Sequence, residues 1–422
     1  MLGEGKSMSS WLVLVCLILL ACAVCGRVAT MLGQNRVIGE IVAGILLGPT
    51  LLGAWFPQVS AKVLTPESIE IVRALGELGL IMLMVEVPWH AAGVGGRRGA
   101  QRAPALIAIL GIVLSFFLGC VIGAWSKPSI APTQPYWSYV IFCGIALSVT
   151  ALPVLMRIIQ ERGGIDGQAG RLALSAAVYT DVFAWFALAL VLALQLGGAG
   201  GLSESLLKVC GLLAYAGLTF LVVRPWLKNR IVHTALSERS LVAIALVYCL
   251  ASAQFTAMLG FHQAIGAVMA AYVFHDLYSM ELAWRRWIGR FGHLFLTPIF
   301  FACSGIQVSL AAFGEPSLWL WLLLFLLGGT IGKVLGSYIG ARAAGLRPIV
   351  SIEVGVLMNT KGLVELVVLG VGLEVGVLSE SSYSVLFMLS IVSTALTNPL
   401  IWLLASLSRK STSGYKASPG GV

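Results

Sequence analysis

The chain has 422 residues, of which 59% are hydrophobic and only 11% are charged. Because roughly a quarter of the residues of an ordinary soluble domain are charged, this composition excludes a soluble fold and predicts an all-α protein that crosses a membrane many times. The net charge of +9 does not indicate a nucleic-acid partner, since the positions of the basic residues along the chain account for it.

Thirteen apolar stretches are long enough to cross a hydrocarbon core of about 30 Å as helices. In chain order they cover 9–29, 37–54, 69–89, 104–126, 137–158, 172–196, 205–225, 240–258, 262–280, 291–310, 317–343, 350–372 and 383–407. No strand-like alternation competes with this pattern. Residues 1–408 therefore read as one transmembrane domain, and the polar residues 409–422 are expected to form a disordered cytoplasmic tail.

The basic residues are distributed unequally between the two sides that an odd number of crossings creates. Twenty of the 27 Lys and Arg residues fall in loops on one side, five fall on the other, and Lys333 and Lys361 fall inside spans. Since cytoplasmic loops carry the excess of Lys and Arg, we predict an outside N-terminus and a cytoplasmic C-terminus in the cell (inner) membrane. A cleaved signal peptide ending at Cys22 is the alternative, but its first residues carry no net positive charge.

Ionisable side chains inside the spans are functional candidates, because each costs about 2.5 to 3.5 kcal/mol near the bilayer centre. Asp181 lies ten residues from Arg171, and Lys333 lies nine residues from Arg342, so both are expected near mid-membrane. An acid and a base at one depth can form an ion pair or two halves of a binding site, and both readings stay open.

Two spans carry polar or helix-breaking residues at their centres. These are Ser148, Thr150 and Pro153 in the fifth span, and Asn359, Thr360, Lys361, Gly362 and Glu365 in the twelfth. Broken helices of secondary transporters come as a pair, one in each inverted repeat, so we predict two inverted repeats joined by the seventh span. Lys361 and Glu365 share one helix face and are expected to neutralise each other and the broken helix ends.

Eight blocks of sequence, spaced by whole helices, carry a family resemblance. They are NRVIGEIVAGILLGPTLLG (35–53), ELGLIMLM (77–84), SVTALPVLMRIIQERG (148–163), AAVYTDVFAW (176–185), GFHQAIGAVMAAYVF (260–274), LTPIFFACSGI (296–306), GKVLGSYIGARAAG (332–345) and MNTKGLVELVVLGVGL (358–373). In this order they resemble the monovalent cation:proton antiporters of the Kef-type and bacterial sodium/proton exchanger branch. The resemblance covers residues 30–407 and is expected to be to the membrane domain only.

The resemblance implies a homodimer with a moving core. Its dimerisation scaffold would comprise the helices in about 9–89 and 240–310, its core those in about 104–196 and 317–407, and its linker helix 205–225. It also implies that Asp181 binds the proton or the cation, with Lys333 as the core charge near it. Thr150 and Ser148 would supply oxygen ligands, which suit Na⁺ or K⁺.

Two positions depart from the family pattern. Charge-moving relatives have two adjacent aspartates where this chain has Thr180 and Asp181. Because one carboxylate holds a proton or a monovalent cation but not both, we predict one-for-one, electroneutral exchange. The second departure, at Glu86, leaves the end of the third span open and makes Glu86 a candidate for an additional buried acid.

Two other transport functions stay open: a proton-coupled exporter of an organic ion or metabolite, and a Kef-like potassium efflux system. The nucleotide-binding domain of Kef-type relatives is not expected here, which favours exchange over ligand-gated efflux. No enzyme is predicted, since neither an HExxH helix nor an intramembrane pair of protease aspartates is found, and no cofactor is predicted. The expected partners are Na⁺ or K⁺, H⁺, the lipid membrane and a second copy, with Na⁺ against K⁺ left open.

Overall fold

Helices form the regular structure of the computed structural model, which describes residues 10–91, 102–161, 167–195, 199–233, 237–261, 263–275, 278–306 and 315–414. Within these ranges there is no strand, as the composition predicts. The first nine helices are α1 (Ser10–Met31), α2 (Arg36–Leu47), α3 (Pro57–Val63), α4 (Pro66–Val85), α5 (Val87–Ala91), α6 (Arg102–Ile130), α7 (Tyr136–Ser148), α8 (Leu152–Glu161) and α9 (Gln168–Gln195). They are followed by α10 (Ala199–Leu218), α11 (Arg224–His233), α12 (Glu238–Met258), α13 (Gln263–Phe274), α14 (Tyr278–Trp284), α15 (Thr297–Ile306), α16 (Pro316–Ala343), α17 (Pro348–Met358), α18 (Leu363–Glu374) and α19 (Glu380–Gly414).

Eight helical segments in the described ranges are long and apolar enough to cross a membrane. They are Trp11–Met31, Arg36–Gly53, Arg102–Ile130, Tyr136–Glu161, Leu207–Asn229, Glu238–Met258, Pro316–Ala343 and Glu380–Leu404. The chain is therefore a multi-pass membrane protein, while the count of thirteen crossings stays a prediction. Helix α19 continues to Gly414, past the expected domain end at residue 408, and residues 415–422 lie outside the described residues.

The two interruptions expected from the sequence are present. Helix α7 ends at Ser148 and α8 begins at Leu152, while α17 ends at Met358 and α18 begins at Leu363. Pro153 has no N–H group, and it occupies the first turn of α8, where helix N–H groups have no intrahelical partner in any case. In the most apolar stretch of Tyr136–Glu161, 94% of the stretch is buried inside the protein, compared with 33% in the corresponding stretch of Arg102–Ile130. The interrupted helix Tyr136–Glu161 therefore lies inside the bundle.

One order of elements occurs twice along the chain. A long helix, two half-helices and a second long helix follow one another in α6–α9 and again in α16–α19. The long helices α6 and α16 pack against each other through Gly332, Gly336 and Gly340, and a Cβ atom at Gly336 would lie 3.0 Å from the Cα of Gly111. These three glycines therefore allow α16 to approach α6 closely, and not α9, the helix that carries Asp181.

Candidate functional site

The two interrupted helices cross each other at their breaks. The backbone N–H of Ala151 donates to the carbonyl of Thr360 over 3.0 Å, and the hydroxyl of Thr150 donates to the carbonyl of Met358 over 2.9 Å. Thr150 and Thr360 are fully buried. Carbonyl groups that one break releases from helical hydrogen bonding are therefore satisfied by donors from the other break.

Two buried lysines close the C-terminal end of α7. The Nζ of Lys361 donates to the carbonyl of Ala146 over 2.7 Å and to that of Leu147 over 3.4 Å, and the Nζ of Lys333 donates to the carbonyl of Ser148. The last carbonyl groups of a helix have no intrahelical partner and carry the negative end of its dipole. This explains how the ammonium groups remain inside the protein, where Lys333 is 0% and Lys361 is 1% exposed.

The charges predicted on the twelfth span are paired. The Nζ of Lys361 lies 3.2 Å from Oε1 of Glu365, and both side chains are buried. Asn359 is also buried, and its Nδ2 donates to Oγ1 of Thr330 over 3.4 Å. Lys361 therefore binds a carboxylate on its own segment and the end of α7 together.

Helix α19 supplies contacts at this break that the sequence analysis missed. The hydroxyl of Ser393 donates to the carbonyl of Asn359 over 3.0 Å, and the backbone N–H of Lys361 donates to Oγ1 of Thr394 over 2.9 Å. A polar stripe at helical spacing could have revealed them: Ser390, Ser393, Thr394 and Thr397.

Asp181 on α9 is the carboxylate at the other side of the crossing. It is 7% exposed, and its Oδ1 is buried without a hydrogen-bond partner. Two groups interact with this carboxylate: the ammonium of Lys333 by its charge, and the backbone N–H of Leu152, the first residue of α8, as a hydrogen-bond donor. A helix N-terminus favours an anion, so α8 points its positive end at this carboxylate.

Asp181 and Lys333 are neighbours without being an ion pair. Among the described residues no salt bridge joins them, because the ammonium of Lys333 is held by the carbonyl of Ser148. The equal depth of Asp181 and Lys333 left two interpretations open, an ion pair and two halves of one binding site. The geometry favours the second interpretation.

Three hydroxyl groups were expected to be ligands or neighbours of the acid. The hydroxyl of Ser148 donates to the carbonyl of Ile145 over 2.8 Å, and that of Thr180 donates to Ala177 of its own helix over 2.9 Å. Since each hydroxyl hydrogen, that of Thr150 included, is held by a carbonyl, the oxygen lone pairs remain free to contact a cation. Carboxylate, hydroxyl and carbonyl oxygens form the donor set that Na⁺ and K⁺ prefer.

Comparison with known proteins points to one family. A family model described as "Sodium/hydrogen exchanger, transmembrane" matches residues 16–403. The Na(+)/H(+) antiporter NhaS4 of Synechocystis sp. is 32% identical over 382 residues, which cover 87% of this chain and 90% of that protein. Cation/H(+) antiporter 17 of Arabidopsis thaliana is 32% identical over 392 residues, or 92% of this chain and 47% of that protein. The chain thus spans about half the length of this plant relative.

A solved structure shares the fold. The sodium proton antiporter MjNhaP1 from Methanocaldococcus jannaschii, at pH 8, superposes with a TM-score of 0.65 over 95% of this chain and 98% of that chain. The sequence identity is 14%, so this similarity concerns the fold alone.

Proposed function

The chain belongs to the sodium/hydrogen exchanger family, and from this premise we propose that it is a secondary antiporter that exchanges Na⁺ or K⁺ for H⁺. One observation carries the proposal: Asp181 is a buried carboxylate with an unpartnered oxygen, placed at the N-terminus of α8 where two broken helices cross. An intramembrane acid that is not locked in an ion pair is free to exchange one positively charged ligand for another.

Competition at Asp181 couples the two ions. A proton and a monovalent cation compete for the same carboxylate oxygens, so binding of one displaces the other. Ser148 and Thr150 supply further oxygen ligands from the broken helix, and Lys333, held on the end of α7, keeps positive charge beside the site. Because the residue before Asp181 is Thr180 and not a second acid, the exchange is one for one and moves no net charge.

Alternating access follows from movement of a core against a scaffold. The core comprises the helices in about 104–196 and 317–407, and the scaffold those in about 9–89 and 240–310, joined by a linker in 205–225. The twofold occurrence of a long helix, two half-helices and a long helix supports a pair of inverted repeats within thirteen crossings. The protein works as a homodimer in the inner membrane, with its N-terminus outside and its C-terminus in the cytoplasm.

The test is proton movement in proteoliposomes that contain a pH-sensitive dye. Addition of Na⁺, K⁺, Li⁺ or Rb⁺ to wild-type vesicles is expected to release protons for at least one cation. Asp181→Asn keeps the shape of the side chain and removes its charge, so the signal is expected to fall to that of protein-free vesicles. Glu380→Gln, the same change at an exposed position at the start of α19, is the control and retains the signal. Full activity of Asp181→Asn contradicts the proposal.

Charge movement is tested separately on a solid-supported membrane. One-for-one exchange predicts no transport current at cation concentrations that give a maximal proton signal, and a current above leak contradicts it. A proton signal that needs an organic ion or metabolite and no metal cation assigns the protein to the exporter class instead.

A further inference from the structure

The end of α8 that lies away from Asp181 is bound to other helices by charged side chains. Arg157 of α8 is 9% exposed, and its Nε lies 3.0 Å from Oε1 of Glu161 on the same helix. Its Nη2 lies 3.7 Å from Oε1 of Glu40 on α2, and its Nη1 lies 3.3 Å from Nδ1 of His293, in the π-helical turn Gly292–Leu296. The guanidinium of Arg157 therefore joins α8 to two separate parts of the chain.

A second contact joins α8 to the end of α4. Glu86 caps α4, is 4% exposed, and accepts a hydrogen bond from Nε2 of Gln160 over 3.0 Å. The Nε2 of His293 lies 3.1 and 3.0 Å from the two oxygens of the same carboxylate. We call Glu40, Glu86, Arg157, Gln160 and His293 the α8 latch.

The contacts of His293 favour one tautomer of its neutral ring. An arginine can only donate, so Nδ1 of His293 faces Arg157 with its lone pair, and the ring hydrogen of the neutral form is on Nε2, toward Glu86. Protonation places a second N–H on Nδ1, directly against the N–H of Arg157. The imidazolium keeps its bond to Glu86 and loses the one to Arg157.

In the part of the chain that the structure describes, further charged groups beside the latch lie on α2 and α8. The Nε of Arg36 lies 3.3 Å from Oε1 of Glu40, and the backbone N–H of Arg36 donates to Oε2 of Glu161 over 2.7 Å. Among the described residues, Glu86 and Arg157 are the charged groups that the structure places in contact with His293. Release of Arg157 from His293 therefore leaves it with Glu40 and Glu161.

Helix α8 transmits the state of the latch to the site. It is ten residues long, which is about 15 Å, and its first N–H, that of Leu152, faces Asp181 while Arg157 and Gln160 lie toward its far end. We propose that the α8 latch holds Leu152 at Asp181 in the state seen in this structure and that protonation of His293 weakens it, which makes Arg157 a positioning residue. The consequence for exchange rests on the proposed function, whereas the latch itself does not.

The test is amide hydrogen exchange of α8 at several pH values, after correction for the intrinsic exchange rate. In the wild-type protein, protection of residues 152–161 is expected to be roughly tenfold lower at about pH 5.5 than at about pH 8. His293→Gln is expected to abolish this step and to stay protected at both pH values. Its amide can accept from Arg157 and donate to Glu86 as the neutral imidazole does, but it cannot be protonated.

One further variant makes the result decisive. Arg286→Gln breaks an exposed ion pair with Glu238 on α12, away from α8, and is expected to leave the step unchanged. A step that persists in His293→Gln, or a wild-type protein without a step, overturns the proposal.

Asp181→Asn separates the two proposals. It is expected to retain the step in α8 protection, since the latch does not include Asp181. If Asp181→Asn still exchanges ions while the step is present, the assignment of Asp181 fails and the latch stands. In vesicles, the pH dependence of the exchange rate is expected to become flatter in His293→Gln than in wild type, while the Arg286→Gln profile matches wild type.

Discussion

The crossing of the broken helices and the α8 latch both bury cations, but they bind them through different partners. At the crossing, Lys333 and Lys361 donate to main-chain carbonyls of α7. At the latch, Arg157 is held by carboxylates and an imidazole from other side chains. Main-chain acceptors are fixed by the helix that carries them, whereas side-chain acceptors can rotate and titrate.

Because of this difference, the two regions are expected to have different roles. We call the crossing of the two broken helices the frame. Its lysines donate to main-chain carbonyls, which do not titrate, so the frame can keep its shape while Asp181 exchanges ligands. The latch can exchange partners, because Arg157 has three acceptors and loses only one when His293 is protonated. Substitutions in the crossing should therefore lower the free energy of unfolding more than substitutions in the latch.

The largest effect is expected for Lys361→Met. Removal of the ammonium leaves the carboxylate of Glu365, which is 0% exposed, without its ion pair and two carbonyls of α7 without their donor. Breaking a buried pair from one side costs about 3 to 5 kcal/mol. The measurement is the free energy of unfolding in mixed detergent micelles.

A double variant shows how much of this cost belongs to the ion pair. Lys361→Met with Glu365→Gln removes the uncompensated charge and is expected to recover part of the loss, but not all, because the carbonyls of Ala146 and Leu147 remain unpaired. Full recovery would mean that the main-chain contacts contribute nothing, which contradicts the description of the crossing as a frame.

A smaller effect is expected for Lys333→Met. This lysine is held by one carbonyl, that of Ser148, and forms no ion pair with Asp181 among the described residues, so the expected loss is about 1 to 3 kcal/mol of unfolding free energy. Combination with Asp181→Asn in the same micelle assay gives the coupling between the two side chains. Independent groups are additive within about 0.5 kcal/mol, and a much larger coupling would indicate a direct pair.

Local features of the sequence were enough to predict the two breaks and the pairing of Lys361 with Glu365. Pro153 and Gly362 mark the breaks, and the spacing of Lys361 and Glu365 predicts their pair, because these signals act within one turn or at one peptide bond. The crossing of the breaks itself depends on contacts such as Ala151 to Thr360, between residues that are far apart in the chain. Their register cannot be obtained from either segment alone.

The latch was not predicted, for a related reason. Arg157 is one of the twenty Lys and Arg residues that the sequence assigns to the cytoplasmic side, and a count of charges in loops takes no account of tertiary partners. The structure buries it against Glu40, which also lies 3.3 Å from Arg36, four residues earlier in the chain. Glu86 was singled out as a possible buried acid, but its partner His293 is 207 residues away and has no motif of its own.

The smallest effect is expected for Glu40→Gln, which weakens the latch at its contact with α2. Both carboxylate oxygens of Glu40 lack a hydrogen-bond partner, although Oε1 lies 3.3 Å from Nε of Arg36 and 3.7 Å from Nη2 of Arg157. Arg157 also keeps Glu161 when Glu40 is neutral. The expected loss is therefore only about 1 kcal/mol of unfolding free energy in the micelle assay. Glu238→Gln, at an exposed pair with Arg286, is the control and should cost less still. A loss from Glu40→Gln as large as that from Lys361→Met would show that Arg157 cannot replace one side-chain partner with another, and the contrast between frame and latch would fail.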